Sequence, residues 1–306
     1  MASVRTQLLL TLYYSWSFGF PLRVGEWYLR TYAHTSPERK LPAASEIAGE
    51  MLVLQTSAFV QITNGFVAPL PESDGLNLQN SRQSRLTISN DKYAEIAPLI
   101  KFCRMLPWVR GVAVTGSVAV ENAESNDDVD LLIVCADNRL WLVRPLLIFF
   151  SQLYGKRRTW RGEEGNSWCF NLWLETSSLS VPVAQRSLYT AYEVCQARWI
   201  VSKDGCVSEF FAVNRWVETI VPFFFRSARY RSVRVDRWRS NFSFPPAETL
   251  FDLANLISFA VQHLYMLPHM TRERVSLRSA AFHPRDTRGI ILKSIRSLIT
   301  QNNSSR

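Results

Sequence analysis

The side chains best suited to chemistry lie in residues 112 to 134. An apolar run, Val112, Ala113 and Val114, leads through Thr115 into Gly116 and Ser117. After a gap of ten residues, Asp128, Val129 and Asp130 open a second apolar run that ends at Val134. If both runs are buried strands, alternate residues share a face, so Asp128 and Asp130 converge while Val129 and Leu131 pack behind them. Two carboxylates on one face repel each other unless a cation lies between them. Oxygen ligands, with room left for water and a substrate phosphate, suit Mg²⁺. The Gly116 and Ser117 turn, expected to open a short helix running to about residue 123, is placed to offer backbone N–H groups and a hydroxyl to a phosphate.

This joint arrangement resembles the polymerase-β-like nucleotidyltransferase superfamily. Its signature is an apolar strand, Gly-Ser or Gly-Gly, a gap of about ten residues and Asp-x-Asp beginning the next strand. The likeness covers residues 112–134. It implies an α+β fold with a small mixed sheet flanked by helices, a nucleoside triphosphate bound against Gly116 and Ser117, and two Mg²⁺ ions held by Asp128 and Asp130. The activity it implies is transfer of a nucleoside monophosphate to an acceptor hydroxyl with release of pyrophosphate. Members also carry a third carboxylate on a later strand, and the positional candidate is Glu175, at the end of an expected strand over 168–175. Glu175 there shares a face with Cys169, Asn171 and Trp173; a solvent-exposed strand end is its other reading. Asn171 can substitute as a hydrogen-bonding group but not as a base, and Glu163 and Glu164 fall in an expected loop. Arg139 and Arg144, on a helix over 139–154, either reach the triphosphate or lie on the helix surface, while Trp141 and Leu142 pack that helix on the sheet. The whole chain looks like a bacterial group of proteins that join a nucleotidyltransferase domain to an N-terminal winged-helix-like module, an impression carried by residues 139–144, 188–193, 214–217 and 282–286.

The elements around this core follow from periodicity and turn residues. Helices are expected over 5–17, from Pro21, and over 43–54, followed by two β-type runs around Asn64 and Gly65, a strong hairpin signal. Three helices and a hairpin suggest a winged-helix-like module over 1–80. Its third helix carries Glu46 and Glu50 and no basic residue, so scaffolding or protein contact fits better than DNA reading. Residues 69–90, rich in Pro, Ser, Asn and Gln, read as a linker. The nucleotidyltransferase core is expected over 81–185, with a helix from about residue 90 to 106. A basic helical domain over 186–306 is expected to contain helices at 188–201, 208–221, 248–267 and 286–299. His283 suits a capping network at the last of these.

Charge is unevenly spread. The chain of 306 residues carries 35 basic and 26 acidic side chains, and residues 226–306 alone supply the net +9. Arg226, Arg229, Arg231, Arg234, Arg237 and Arg239, with Tyr230 and Trp238 among them, suit RNA or DNA through phosphate contacts and base stacking, or a solvated surface. Five widely spaced cysteines with no Cys-x-x-Cys pair indicate neither a disulfide framework nor a zinc site, and point to a reduced, cytoplasmic setting. Residues 8–20 are too polar for a signal sequence and 216–225 too short for a membrane span, so no membrane helix is expected. Two other functions share these features: a catalytically weak or inactive nucleotide- or nucleic-acid-binding regulator on the same fold, and a toxin-neutralising partner that modifies or masks another protein.

Overall fold

The computed structural model describes residues 3–33, 41–70, 75–157, 165–233, 235–238, 248–271, 273–282 and 296. They form an α+β protein with two sheets. The first, three-stranded and antiparallel, is made by β1 (Leu22–Arg23), β2 (Val60–Thr63) and β3 (Phe66–Pro69), with β3 in the middle. Asn64 and Gly65 turn between β2 and β3 with positive φ, the left-handed conformation that a two-residue hairpin loop requires. Helices α1 (Val4–Trp16), α2 (Val24–Arg30) and α3 (Ala44–Thr56) pack on this sheet through Leu8, Leu12, Trp27, Ile47 and Leu54, all fully buried.

The second sheet has seven strands: β4 (Val109–Thr115), β5 (Val129–Cys135), β6 (Trp168–Glu175), β7 (Arg198–Lys203), β8 (Asp236–Trp238), β9 (Arg274–Val275) and β10 (Ser279–Ala281), in the order β8-β7-β4-β5-β6-β10-β9. β4 lies antiparallel to β5 and β7, while β5 and β6 are parallel. Both faces are covered, as the nearly continuous apolar runs of β4 and β5 require. Leu131, Ile133, Trp141 and Trp173 build one core, and Leu132, Val134, Tyr192 and Phe211 the other.

Several expectations are revised. Residues 69–90 are not a linker: α4 (Gly75–Glu95) crosses both that stretch and the expected boundary at residue 80. Its polar composition hides it, but Arg82 and Arg85 fasten it to Glu26 and Asn122. The helix expected over 90–106 is broken at Ile96, after which α5 (Ala97–Met105) begins. The helix expected over 188–201 is α8 (Leu188–Gln196), and 198–203 is strand β7, in which exposed Arg198 and part-buried Ile200 alternate with buried Trp199 and Val201. Residues 186–306 are therefore not a separate helical domain, because they give four strands to the same sheet as β4 and β5. The helix expected over 286–299 and His283 lie outside the described residues, as do Arg234, Arg239, Glu163 and Glu164; the Arg237 side chain is likewise not described.

The remaining helices are α6 (Gly116–Ala119), α7 (Leu140–Leu153), α9 (Cys206–Val213), α10 (Pro222–Val233) and α11 (Glu248–Met266). α11 packs on α7 through polar groups. Asn255 Oδ1 accepts from the Trp141 amide at 2.9 Å, and Ser258 and Gln262 donate to the Trp141 carbonyl at 2.7 and 2.8 Å. Its other face exposes Leu253, Ile257, Val261 and Leu264. The segment Glu248–His269 is long enough to cross a membrane and holds an 18-residue window apolar enough to do so by composition, with mean hydropathy 1.3. That property was not expected, since the segments weighed for it were 8–20 and 216–225.

Candidate active site

β4 is buried from Gly111 to Val114 and ends at the turn. Gly116 then takes φ +65°. Only glycine suits this position, for two reasons: the left-handed conformation, and a Cβ that would overlap Oδ2 of Asp130. The antiparallel register sets Thr115 opposite Asp130, so the turn and the carboxylate meet as the spacing in the sequence predicts. Ser117, next along the turn, donates its hydroxyl to Asp127 Oδ2 at 2.6 Å, and Asp127 Oδ2 also receives the Glu124 amide at 3.0 Å. The Ser117 proton is thus engaged in holding the loop before β5 rather than turned outward to a ligand. Lys92 secures the same loop, donating to the Ser125 and Asp127 carbonyls at 3.0 and 2.6 Å.

Asp130 is gripped from its other side by β6. Cys169 Sγ donates to Asn171 Oδ1 at 2.9 Å, which leaves the Asn171 amide group to donate to Asp130 Oδ1. Asn171 is buried. Asp128 lies at the entrance of β5, where its Oδ1 accepts from the Ser167 amide at 2.8 Å and hydroxyl at 2.7 Å, tying β5 to the start of β6.

Glu175 is not gathered here. The pairing of β5 with β6 advances two residues on β5 and three on β6 between the Asp130–Cys169 and Leu132–Leu172 pairs. This extra residue inverts the alternation, so Trp168 and Trp173, five apart, face the same core while Leu172 and Leu174 pack against the other. Glu175 consequently follows Trp173 to the face opposite Asp130, and it pairs with Cys135 at the far end of β5. It is fully buried, accepts from the Leu140 amide at the first turn of α7, and its carboxyl is pushed up by burial. Glu175 is a helix-end acceptor, not the third acid.

Arg139 and Arg144 are also elsewhere. Arg139 is buried, paired with Glu248 and Asp252 of α11. Arg144 donates to Gln262 at 2.7 Å and lies over Phe282, 4.9 Å from its ring centre. Both fasten α11 to α7, and the triphosphate contact expected of them is not supported by their placement.

A cavity of about 190 Å³ opens against Gly116, Ser117 and Asp130, closed on its far side by Tyr14, Phe20 and Arg30 from the N-terminal elements. α1 is held there by Tyr14, which stacks on Tyr192 of α8 with ring centres 4.5 Å apart. Glu193, next along α8, reaches the same cavity. Its carboxyl is pushed up to about 7, first by burial and then by the charge of Asp130. Glu193 falls in the 188–193 stretch noted in the sequence but is given no role there, although a single acid set among Ala191, Tyr192, Val194 and Cys195 on a short helix is a readable signal. Two carboxylates at one small cavity, Glu193 desolvated there and Asp130 part-buried, fit a divalent cation, which relieves their repulsion. Among the described residues no group of three or more His, Cys, Asp and Glu side chains gathers as a metal cage. Water and phosphate oxygens would therefore complete such a cation's shell, the mode Mg²⁺ favours.

Of the basic run, Arg226 pairs with Glu218 at 2.8 Å, Arg229 is exposed, and Arg231 borders a second cavity. Comparison with protein-family models, with curated proteins and with solved structures finds no match for the chain.

Proposed function

We propose that the protein is a Mg²⁺-dependent nucleotidyltransferase that moves a nucleoside monophosphate from a nucleoside triphosphate to an acceptor hydroxyl. The observation carrying this reading is the Asp130 carboxylate, fixed between the Gly116 turn and Asn171, at the wall of a cavity that Glu193 shares. Asp130 and Glu193 would hold Mg²⁺, and Asp128, two residues back along the strand, would join them if it released Ser167. When bound, the metal neutralises the triphosphate and departing pyrophosphate and acidifies the acceptor hydroxyl. The new bond forms between the acceptor oxygen and the α-phosphorus as the bond to pyrophosphate breaks. Gly116 leaves space for the chain to approach the phosphates. Asn171 holds Asp130 in one orientation, and Glu193 supplies the third acid from a helix rather than from β6.

Incubation with each labelled triphosphate, Mg²⁺ and cell extract tests the reading: a macromolecule or metabolite acquires label with the native protein and not with Asp130→Asn or Glu193→Gln. Undiminished labelling by both variants overturns it.

A second reading has its own support. The strand position that faces Asp130 carries Asn171, an amide that cannot accept a proton or balance a cation's charge. A regulator that binds Mg²⁺-triphosphate without transferring it would keep this arrangement. Triphosphate binding that needs Asp130, with no labelled product from any extract, favours it.

A further inference from the structure

Beside the candidate active site lies a second cavity, of about 300 Å³, sharing Arg30, Val120 and Gln196 with the first. Four arginines line it, from four different elements: Arg30 on α2, Arg82 on α4, Arg198 on β7 and Arg231 on α10. Arg30 and Arg82 are more than nine-tenths buried, whereas Arg198 and Arg231 are exposed at its margin.

Two carboxylates, Glu26 and Glu121, share the lining. Glu26 pairs with Arg82 at 3.0 Å and Glu121 with Arg198 at 2.9 Å. Arg30 and Arg231 have no carboxylate within ion-pair distance among the described residues, and aromatic rings hold them instead. Arg30 lies between Phe20 and Phe224, with ring centres 4.7 and 4.8 Å from its guanidinium carbon, and Arg231 lies 6.0 Å from the same Phe224 ring. Arg82 covers the other face of this arrangement, 3.9 Å from Phe20, and one of its terminal nitrogens is buried with no hydrogen-bond partner.

A buried guanidinium without a partner is costly, and gathering like charges adds to the cost. Burial pushes Arg30, Arg82 and Arg231 downward, and in each case a neighbouring arginine pushes the same way. Stacking on aromatic rings returns only part of this. The lining keeps two positive charges in excess, so the complementary ligand is a dianion with several acceptor oxygens in a compact head. Planar guanidinium forks match phosphate oxygens two at a time.

We propose that this cavity is a binding site for a phosphate dianion, either the free ion or the phosphate end of a larger molecule, held by Arg30, Arg82, Arg198 and Arg231. The volume exceeds that of one phosphate, and Arg30 and Gln196 also line the cavity that holds Asp130. The inference does not depend on nucleotide transfer.

Calorimetric titration with sodium phosphate at pH 8, without Mg²⁺ or nucleotide and with chloride holding ionic strength constant, tests it. The native protein binds one phosphate, Arg82→Gln and Arg231→Gln each weaken binding about tenfold or more, and Asp130→Asn stays within about twofold of native. Arg198→Gln, at an exposed side chain, repeats the test should Arg82→Gln fail to fold. Absence of binding to the native protein overturns the proposal. So does binding that survives the arginine variants or changes by well over twofold in Asp130→Asn, which would move the ion to the Gly116 cavity. Ribose 5-phosphate in a second titration separates the sources: tighter binding than phosphate assigns the site to the end of a larger molecule, and equal binding assigns it to the free ion.

Discussion

The two faces of the seven-stranded sheet each bury arginines, and they use them differently. Under α11, Arg139 meets Glu248 and Asp252, and Arg144 meets Gln262; positive charge is matched locally, and the side chains act as fasteners between helices. Beside the Gly116 turn, Arg30 and Arg231 rest on Phe20 and Phe224 with no carboxylate among the described residues within ion-pair distance, so their charge stays available. Arg139 and Arg30 are buried alike. What separates a structural arginine from a binding one is whether the protein itself supplies the anion.

The contrast can be broken or sharpened by substitution. The largest effect belongs to the turn. Asp130→Asn should lower transfer about 10³-fold, since several kcal/mol of metal-borne charge stabilisation depends on it. Gly116→Ala should do the same by displacing that carboxylate, and label transfer measured beside circular dichroism separates both from unfolding. Arg139→Gln should act on stability instead, lowering it by about 2 kcal/mol in urea titration. That is less than for a wholly buried pair, because Glu248 and Asp252 are half exposed and regain water. Transfer at saturating substrate should not change; a tenfold loss would put Arg139 back at the active site.

Glu175→Gln should have a smaller effect, and one that depends on pH. The folded carboxyl sits above its unfolded value, so the group costs stability as pH rises past the ordinary glutamate range and costs nothing below it. The variant should therefore match the native protein at pH 4 and exceed it in stability at neutral pH. A native protein that gains stability over this interval through Glu175 would reverse the sign and refute the account of its burial. Arg226→Gln should change stability least, by no more than about 0.5 kcal/mol, because its pair with Glu218 is exposed. A larger shift in the thermal midpoint would mean that α10 is fastened there.

Much of the turn and its aspartate was legible because the information is short-range: an apolar run, a glycine and an Asp-x-Asp within 23 residues set the register of β4 and β5. Glu193 and Arg30 were not, since helix packing from residues 63 and 100 positions away brings them to Asp130. β7 was read as helix because a run such as Trp199-Ile200-Val201 satisfies either periodicity over so short a span. α4 was read as linker because its composition is polar, and tertiary contacts of Arg82 and Arg85 rather than an apolar stripe hold it.

The extra residue in β6 also makes the strand sensitive to length in a way that substitutions would not reveal. Pairing the same residues in simple alternation, with no extra residue taken up between Cys169 and Leu172, would exchange the two faces for the rest of the strand. Trp173 would then turn toward the Tyr192 core, and Glu175 would leave the amides of α7. A deletion that closed the bulge would keep Leu172, Trp173 and Glu175 on their faces but take Asn171 away from Asp130, so the spacing from Cys169 to Leu172 is as much a part of the site as the residues themselves.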